Sequence, residues 1–319
     1  MRDDLLRELE TEYEQIRTDN ERREQIRRET IREKQPDIHA LTVERENLIF
    51  DSLRTVASGK GKAVNLPERM EELSGKIREK LKEAGYPEDY LAPIYRCPIC
   101  KDSGKTGDLI REDCECLKKA YQKKLREAIG LKSRQNETFE SFNLNLFPND
   151  PLPGHSYSQR DLMEMHRKTC EEWANNYPKT TCRDLILSGR SGLGKTFLMH
   201  SMAERLISRN VDVMLISAYR LLEILRKAYF ENENTADEVT NAEILMIDDL
   251  GSEPLMQNIT VEQLFNLLNE RQNRGMSTII STNLDMNEFR TRYTERIASR
   301  LRDSRYCEEL VLEGKDIRV

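Results

Sequence analysis

Apolar positions in the first 35 residues form one thin stripe, Leu5, Leu9, Tyr13 and Ile16, at helical spacing, and the stripe then fades. Around it Arg and Glu alternate, and acid-to-base pairs recur four apart at Asp3–Arg7, Asp19–Arg23 and Glu24–Arg28. Each pair supports an exposed helix by a few tenths of a kcal/mol. The pattern predicts a solvated or partner-binding helix that Pro36 ends. A second helix is predicted over 38–57, carrying Ile38, Leu41, Leu48 and Phe50, before a Gly59-Lys60-Gly61 loop. A third follows Pro67 through Met70, Leu73, Ile77 and Leu81, with Gly85 capping it. Then come a cysteine-bearing segment, 95–117, and a basic helix, 117–130. Residues 131–157 carry Asn, Pro and Gly with scattered aromatics, and the domain boundary is placed near 131–136.

From about 158 the texture changes. Helical and short apolar segments alternate: helix 158–177, strand 184–188, helix 195–209, strand 211–216, helix 218–230, strand 243–247, helix 260–273 and strand 277–281. Such alternation argues an α/β domain with a parallel sheet covered by helices. The expected organisation is a helical N-terminal domain over 1–130, then an α/β domain over 131–319.

Composition narrows the function classes. The chain has 319 residues, 37% hydrophobic and 34% charged, which leaves room for one sizeable core. A net charge of −6 gives no global basic field, so any nucleic-acid surface must be local. No apolar run approaches the ~18–20 residues of a membrane span, and MRDDLLRELE has no signal-peptide core. A cytoplasmic location without membrane contact is expected, where seven cysteines read as metal ligands or free thiols before disulfides.

Gly189-Arg190-Ser191-Gly192-Leu193-Gly194-Lys195-Thr196 fits G-x-x-x-x-G-K-[ST] at every fixed position, after the apolar run LILS and before the helical FLMHSMAERLI. Glycines let backbone N–H groups turn inward onto phosphate oxygens, and the following helix adds its free N–H groups and dipole. Lys195 can neutralise the β and γ phosphates of ATP, and the Thr196 hydroxyl can ligate Mg²⁺. About fifty residues on, Ile244-Leu245-Met246-Ile247-Asp248-Asp249 is an apolar strand ending in two carboxylates, at the edge where a doubly wound sheet binds ligand. Asp248 is expected to hold the magnesium and Asp249 to orient or activate the attacking water.

Together with the strand STIISTN at 277–283 and the run Glu295-Arg296-Ile297-Ala298-Ser299-Arg300-Leu301, these motifs resemble the AAA+ ATPases of the DnaC/DnaI helicase-loader and IstB group, over about 136–319. The resemblance implies an AAA+ P-loop fold, with Asn283 as the polar residue that contacts the γ-phosphate or the water. It also places an arginine finger in the last run, Arg300 first and Arg296 second, reaching the nucleotide of a neighbouring subunit. A finger supplied in trans requires a homo-oligomer in the ATP state. Two departures stand out. Many AAA+ proteins have Glu where Asp249 stands, and the shorter side chain predicts slow hydrolysis, suited to a switch. The residues after the finger leave no room for a full helical lid, so no arginine from such a lid is assigned.

Cys97-Pro98-Ile99-Cys100 is followed, after thirteen residues, by Cys114-Glu115-Cys116. C-x-x-C suits a knuckle whose thiolates bind one Zn²⁺, and the second, tighter C-x-C pair would close a tetrahedron with no open position, hence a structural site. The alternatives are four free thiols, or a redox pair that lacks a surrounding βαβ pattern. Cys170, Cys182 and Cys307 read as isolated thiols. DnaI-like loaders carry similar Cys-rich segments in an N-terminal region that engages the replicative helicase; IstB-type ATPases typically lack them. In Tyr219–Phe230, Leu221, Leu222, Leu225 and Tyr229 share a helical face as core residues would, leaving Arg220, Arg226 and Lys227 as candidate phosphate contacts for single-stranded DNA. The expected function is a helicase loader in DNA replication: an ATP switch acting on a replicative helicase and single-stranded DNA. The alternative is an IstB-type transposition helper that remodels duplex DNA. A third expectation, a phage or mobile-element loader serving another helicase, has the same sequence features.

Overall fold

The computed structural model describes residues 2–57, 66–107, 110–134, 136–231, 236–254, 259–301 and 303–318. The expected Gly59-Lys60-Gly61 loop lies outside them. Contacts divide the chain into two compact units, one of Leu6–Leu117 and one of Met1–Leu5 with Lys118–Val319. Among the described residues no helix is long and apolar enough to cross a membrane.

The first unit is helical. Helix α1 covers Arg2–Lys34 and α2 Pro36–Ala57. Helix α1 stops ahead of Pro36 as expected, and Pro36 also begins the next helix, where its missing N–H is one that would lack an intrahelical partner anyway. Helix α3, Leu66–Glu83, packs along α2, and Ile38, Ile77 and Leu81 form a buried core with Ile31 of α1. Gly85, at φ 79°, closes α3: Tyr86 N donates to Leu81 O at 2.9 Å and Gly85 N to Lys82 O at 3.0 Å. These are the paired bonds of a Schellman cap, which needs a left-handed residue at this point. Between the cysteine pairs sits a short hairpin not expected from sequence, β1 (Lys105–Thr106) against β2 (Glu112–Asp113).

The second unit holds α4 (Glu115–Ala128) from Lys118 onward, α5 (Gln159–Asn176), and a five-stranded sheet. Its strands are β3 (Asp184–Ser188), β4 (Val213–Ser217), β5 (Ile244–Leu250), β6 (Ser277–Thr282) and β7 (Cys307–Val311). All neighbours run parallel, in the order β4-β5-β6-β3-β7. Helices α6 (Lys195–Ser208), α7 (Ala218–Glu231), α8 (Ala236–Asn241), α9 (Ile259–Asn273) and α10 (Met286–Leu301) complete it. Successive strand residues feed opposite cores: Leu185, Leu187, Ile244, Met246 and Ile279 join one, while Ile186, Leu245, Ile247 and Ile280 join the other. Burial on both faces is why these strands read as continuous apolar runs rather than alternations. Each such side chain contributes about 1.5–3 kcal/mol on burial. Because β6 lies between β3 and β5, three segments distant in sequence end side by side at one edge of the sheet.

Candidate nucleotide and metal sites

The glycine-rich loop leaves β3 and enters α6. Its shape is forced by what crosses it. Gly189, at φ 142°, faces the chain leaving β7, and a Cβ there would lie 2.2 Å from Leu312 O. Gly192, at φ 79°, is covered by Asp316, where a Cβ would fall 1.9 Å from the carboxylate. Leu193 turns inward and is buried, anchoring the loop in the core.

Lys195 is buried at the start of α6 and its Nζ donates to Gly189 O at 2.6 Å, Arg190 O at 2.8 Å and Asn283 Oδ1 at 2.6 Å. Burial pulls its ammonium down from the ordinary 10.5 to about 8, against the raising effect of Asp249 and Asp248. Asn283 also donates to Asp249 Oδ1, so the loop lysine, the end of β6 and the end of β5 share one network. Thr196 Oγ1 donates to both Asp248 oxygens at 3.2 Å. That places hydroxyl and carboxylate on a common point, an oxygen pair suited to a hard divalent cation.

Ser281, which sequence reading passed over, orders the two acids. Its Oγ donates to Asp248 Oδ1 at 2.6 Å and accepts from Asp249 N at 2.7 Å. Asp249 adopts φ 59°, a left-handed conformation that Asp tolerates better than most residues. The turn beyond it is tied by Glu253, whose side chain is fully buried. Glu253 accepts from Gly251 N at 2.7 Å, from the Tyr293 hydroxyl and from Arg292. Burial and this carboxylate push the Tyr293 phenol well above its usual range.

Two further segments meet the loop without a sequence signal having marked them. Phe142 stacks on Phe147 at 5.6 Å between ring centroids and meets Phe197 edge-on at 5.1 Å, both phenylalanines lying behind Gly194. The chain after β7 crosses the loop's front, with Ile317 N donating to Gly192 O at 3.1 Å and Arg318 Nη2 to Ser191 Oγ at 3.0 Å. Two phenylalanines five positions apart ahead of β3, and a lone Arg after β7, carry no weight until the topology brings them here.

Arg296 and Arg300 are not brought to this loop. Helix α10 breaks at Thr294, at φ 72° and ψ 157°, and the segment after the break carries both arginines. They are exposed and line a cleft with Phe265, Gln272, Asp303 and Tyr306, to which no residue of the glycine-rich loop contributes. On α7, Arg220, Arg226 and Lys227 are exposed, and Leu221 and Leu225 are buried as expected. Tyr229 is not: it is 57% exposed beside an equally exposed Phe230.

In the first unit the Sγ atoms of Cys97, Cys100, Cys114 and Cys116 all lie within 4.8 Å of one another, with Cys97–Cys114 at 3.9 Å and Cys100–Cys116 at 3.5 Å. Four thiolates about 2.3 Å from one Zn²⁺ in a tetrahedron stand about 3.8 Å apart, so the donor set fits that ion. Backbone N–H groups, Cys100 first, bring the Cys97 thiol down to about 7. The knuckle is braced by Asp102, a buried carboxylate that accepts from Cys97 N at 2.7 Å, Arg96 N at 2.9 Å and Asn20 Nδ2 at 2.9 Å. Tyr13 OH reaches Cys116 Sγ at 3.3 Å, so α1 encloses the cluster from one side. Of the remaining cysteines, Cys170 and Cys307 are buried and Cys182 is half-buried.

The chain is similar to several known proteins. The chain is 21% identical over 248 residues to the replicative helicase loader DnaI of Bacillus subtilis, covering 72% of this chain and 76% of that protein. It is 26% identical over 203 residues to an insertion sequence IS21-like putative ATP-binding protein of Bacteroides fragilis, covering 62% and 73%. The crystal structure of the DnaC helicase loader superposes with a TM-score of 0.46 at 21% identity, over 57% of this chain and 99% of that one. The model of the IstB-like ATP binding protein family matches residues 155–315, half of the chain and all of the sheet just described, and the chain therefore belongs to that family, as an ATP-binding AAA+ protein.

Proposed function

We propose that this protein is an ATP-dependent loader of a replicative DNA helicase. One observation carries the reading: the similarity to DnaI covers 72% of the chain, whereas the part from residue 155 onward is only about half of it. The likeness to a named helicase loader thus runs back beyond the nucleotide-binding segment. The compact unit with the cysteine knuckle supports the same reading as the part that engages the helicase. In this account the phosphate loop and Lys195 hold the β and γ phosphates, and Thr196 and Asp248 hold Mg²⁺, which when bound neutralises phosphate charge. Asp249 orients the attacking water, and Asn283 contacts the γ-phosphate or that water. Arg300, with Arg296 second, reaches the γ-phosphate of the adjacent subunit in a homo-oligomer. ATP favours the assembled state, and slow hydrolysis releases it. Single-stranded DNA would lie along Arg220, Arg226 and Lys227, with Tyr219, Tyr229 and Phe230 exposed beside them for stacking. The setting is the cytoplasm.

The test is co-purification from the source cell in the presence of ATP. A hexameric helicase should be recovered with the full chain, and recovery should fall when the chain is started at residue 118. Retention of a transposase in place of a helicase would overturn the reading. It would favour a transposition helper, the second reading, to which the 26% identity with the IS21-like protein points.

Zinc analysis checks the knuckle. Protein purified without chelator should hold one Zn²⁺ per chain. Cys100→Ser should lose it and loosen the 6–117 unit, since structural zinc contributes folding energy, while ATP affinity stays unchanged. A zinc content near zero with four titratable thiols in the native protein would sink the assignment.

A further inference from the structure

Phe265, half-buried on α9, has two guanidiniums over its ring, as among the described residues only Tyr306 also has, with Arg183 and Arg305. The Arg296 carbon Cζ stands 4.5 Å from its centroid and that of Arg300 5.0 Å. The helix positions agree with this. Arg296 and Arg300 are one turn apart on the segment after the Thr294 break, and Ile297, Ala298 and Leu301 between and beyond them are buried. That packing fixes the segment's backbone but leaves both arginine side chains exposed. On α9, Leu264, Leu267 and Leu268 are buried, so the ring stands on a fixed base.

We propose that Phe265 is a positioning residue for the finger segment, holding Arg296 and Arg300 extended toward the phosphate of a neighbouring subunit; this rests on the trans-acting reading of Arg300 given above. An exposed arginine samples many rotamers, and each must be given up on docking. A ring that takes the flat face of the guanidinium removes much of that freedom beforehand. The same contact leaves the in-plane N–H groups available, because stacking uses the π face and hydrogen bonding uses the edge. Arg300 places one of these on Gln272 Oε1 at 3.5 Å, and no described residue accepts from Arg296. The ring borders two clefts, one with Gln272, Asn273 and both arginines, the other with Glu262, Asn266 and Arg296. An incoming phosphate therefore meets donors that are aimed and unsaturated.

The experiment uses mixed assemblies of full-length chains. Lys195→Ala chains, which have no working loop, donate the finger; Arg300→Ala chains, which have no finger, supply an intact loop. Mixing should restore ATPase activity. Adding Phe265→Leu to the donor chain should lower that restored rate about 10-fold, from the loss of two exposed cation–π contacts of roughly 2- to 5-fold each. Adding it to the Arg300→Ala chain should leave the rate within about two-fold, since that chain presents no finger. Phe265→Trp in the donor should restore the rate. Equal losses in both arms would mean a purely structural role and overturn the proposal, as would no loss in the donor arm. Failure of the unmodified mixture to regain activity, with co-assembly demonstrated, would instead overturn the trans-acting reading on which it rests. ATP affinity of the Arg300→Ala chain with Phe265→Leu, measured alone, reports whether that chain is folded.

Discussion

Lys195→Ala should weaken ATP binding by about 100-fold or more. Two charge-assisted hydrogen bonds to phosphate oxygens, at roughly 1.5–3 kcal/mol each, account for a loss of that size. The lysine is buried and already ordered on Gly189 O, Arg190 O and Asn283 Oδ1, so little further ordering opposes its transfer to phosphate. Titration with a fluorescent nucleotide analogue measures the effect, and an unchanged affinity would remove the loop from the binding site. The same residue sets a pH dependence. In the free protein burial holds the ammonium at about 8, below the ordinary 10.5. Below pH 8 it is charged and ATP binds without proton uptake. Above pH 8 the free protein has lost the proton that the phosphates require, so affinity should fall by up to about ten-fold per unit and binding should take up a proton. Stability of the free protein moves the other way. Between about 8 and 10.5 the unfolded chain binds more protons at this site than the folded one, so rising pH relieves the burial of the charge. Calorimetry in buffers of different ionisation enthalpy separates the proton uptake from the binding itself.

What the sequence made legible were elements whose physics is local. The glycine-rich loop between an apolar run and a helix is one, because each fixed position answers a requirement of phosphate binding or of backbone geometry. The alternating strands and helices from 184 to 282 are another, because burial on both faces leaves unbroken apolar runs. The Gly85 cap was legible from the helix it closes. Strand β7 was not: in Cys307–Val311 only Cys307 and Leu310 are buried, as befits an edge strand with one partner, and its glutamates hide the pattern. The hairpin β1–β2, with two residues to each strand, is too short for any periodicity. Helix α8 has a single buried residue, Val239. Residues that act across the fold were also silent. Ser281 matters only because β6 lies beside β5. Asn20 reaches Asp102 from 82 positions away. Glu253 is an ordinary acid in a turn until Tyr293 and Arg292 close over it. Tyr229 was misplaced for a related reason, since helical spacing assigns a face but does not say how far along the helix that face stays covered.

Arg300→Ala should leave ATP binding by the isolated subunit intact while lowering the hydrolysis of the assembled protein by about 10³-fold or more, the range of other arginine fingers. Both effects follow from where Arg300 stands. Its cleft shares no residue with the glycine-rich loop, so within one chain it lies apart from the phosphates it is proposed to meet. It is exposed, and no carboxylate among the described residues pairs with it. A guanidinium can clasp a γ-phosphate through two parallel N–H groups, which an ammonium cannot. Arg300→Lys should therefore recover little of the lost rate, whereas a residue acting only through net charge would be largely rescued. ATP-dependent assembly, followed by sedimentation, should weaken in both variants, because the finger bridges the subunits only when a γ-phosphate is present. If Arg300→Ala alters neither hydrolysis nor assembly, Arg300 is not the finger. Arg296, on the same ring and one turn earlier, is then the residue to test by the same pair of measurements.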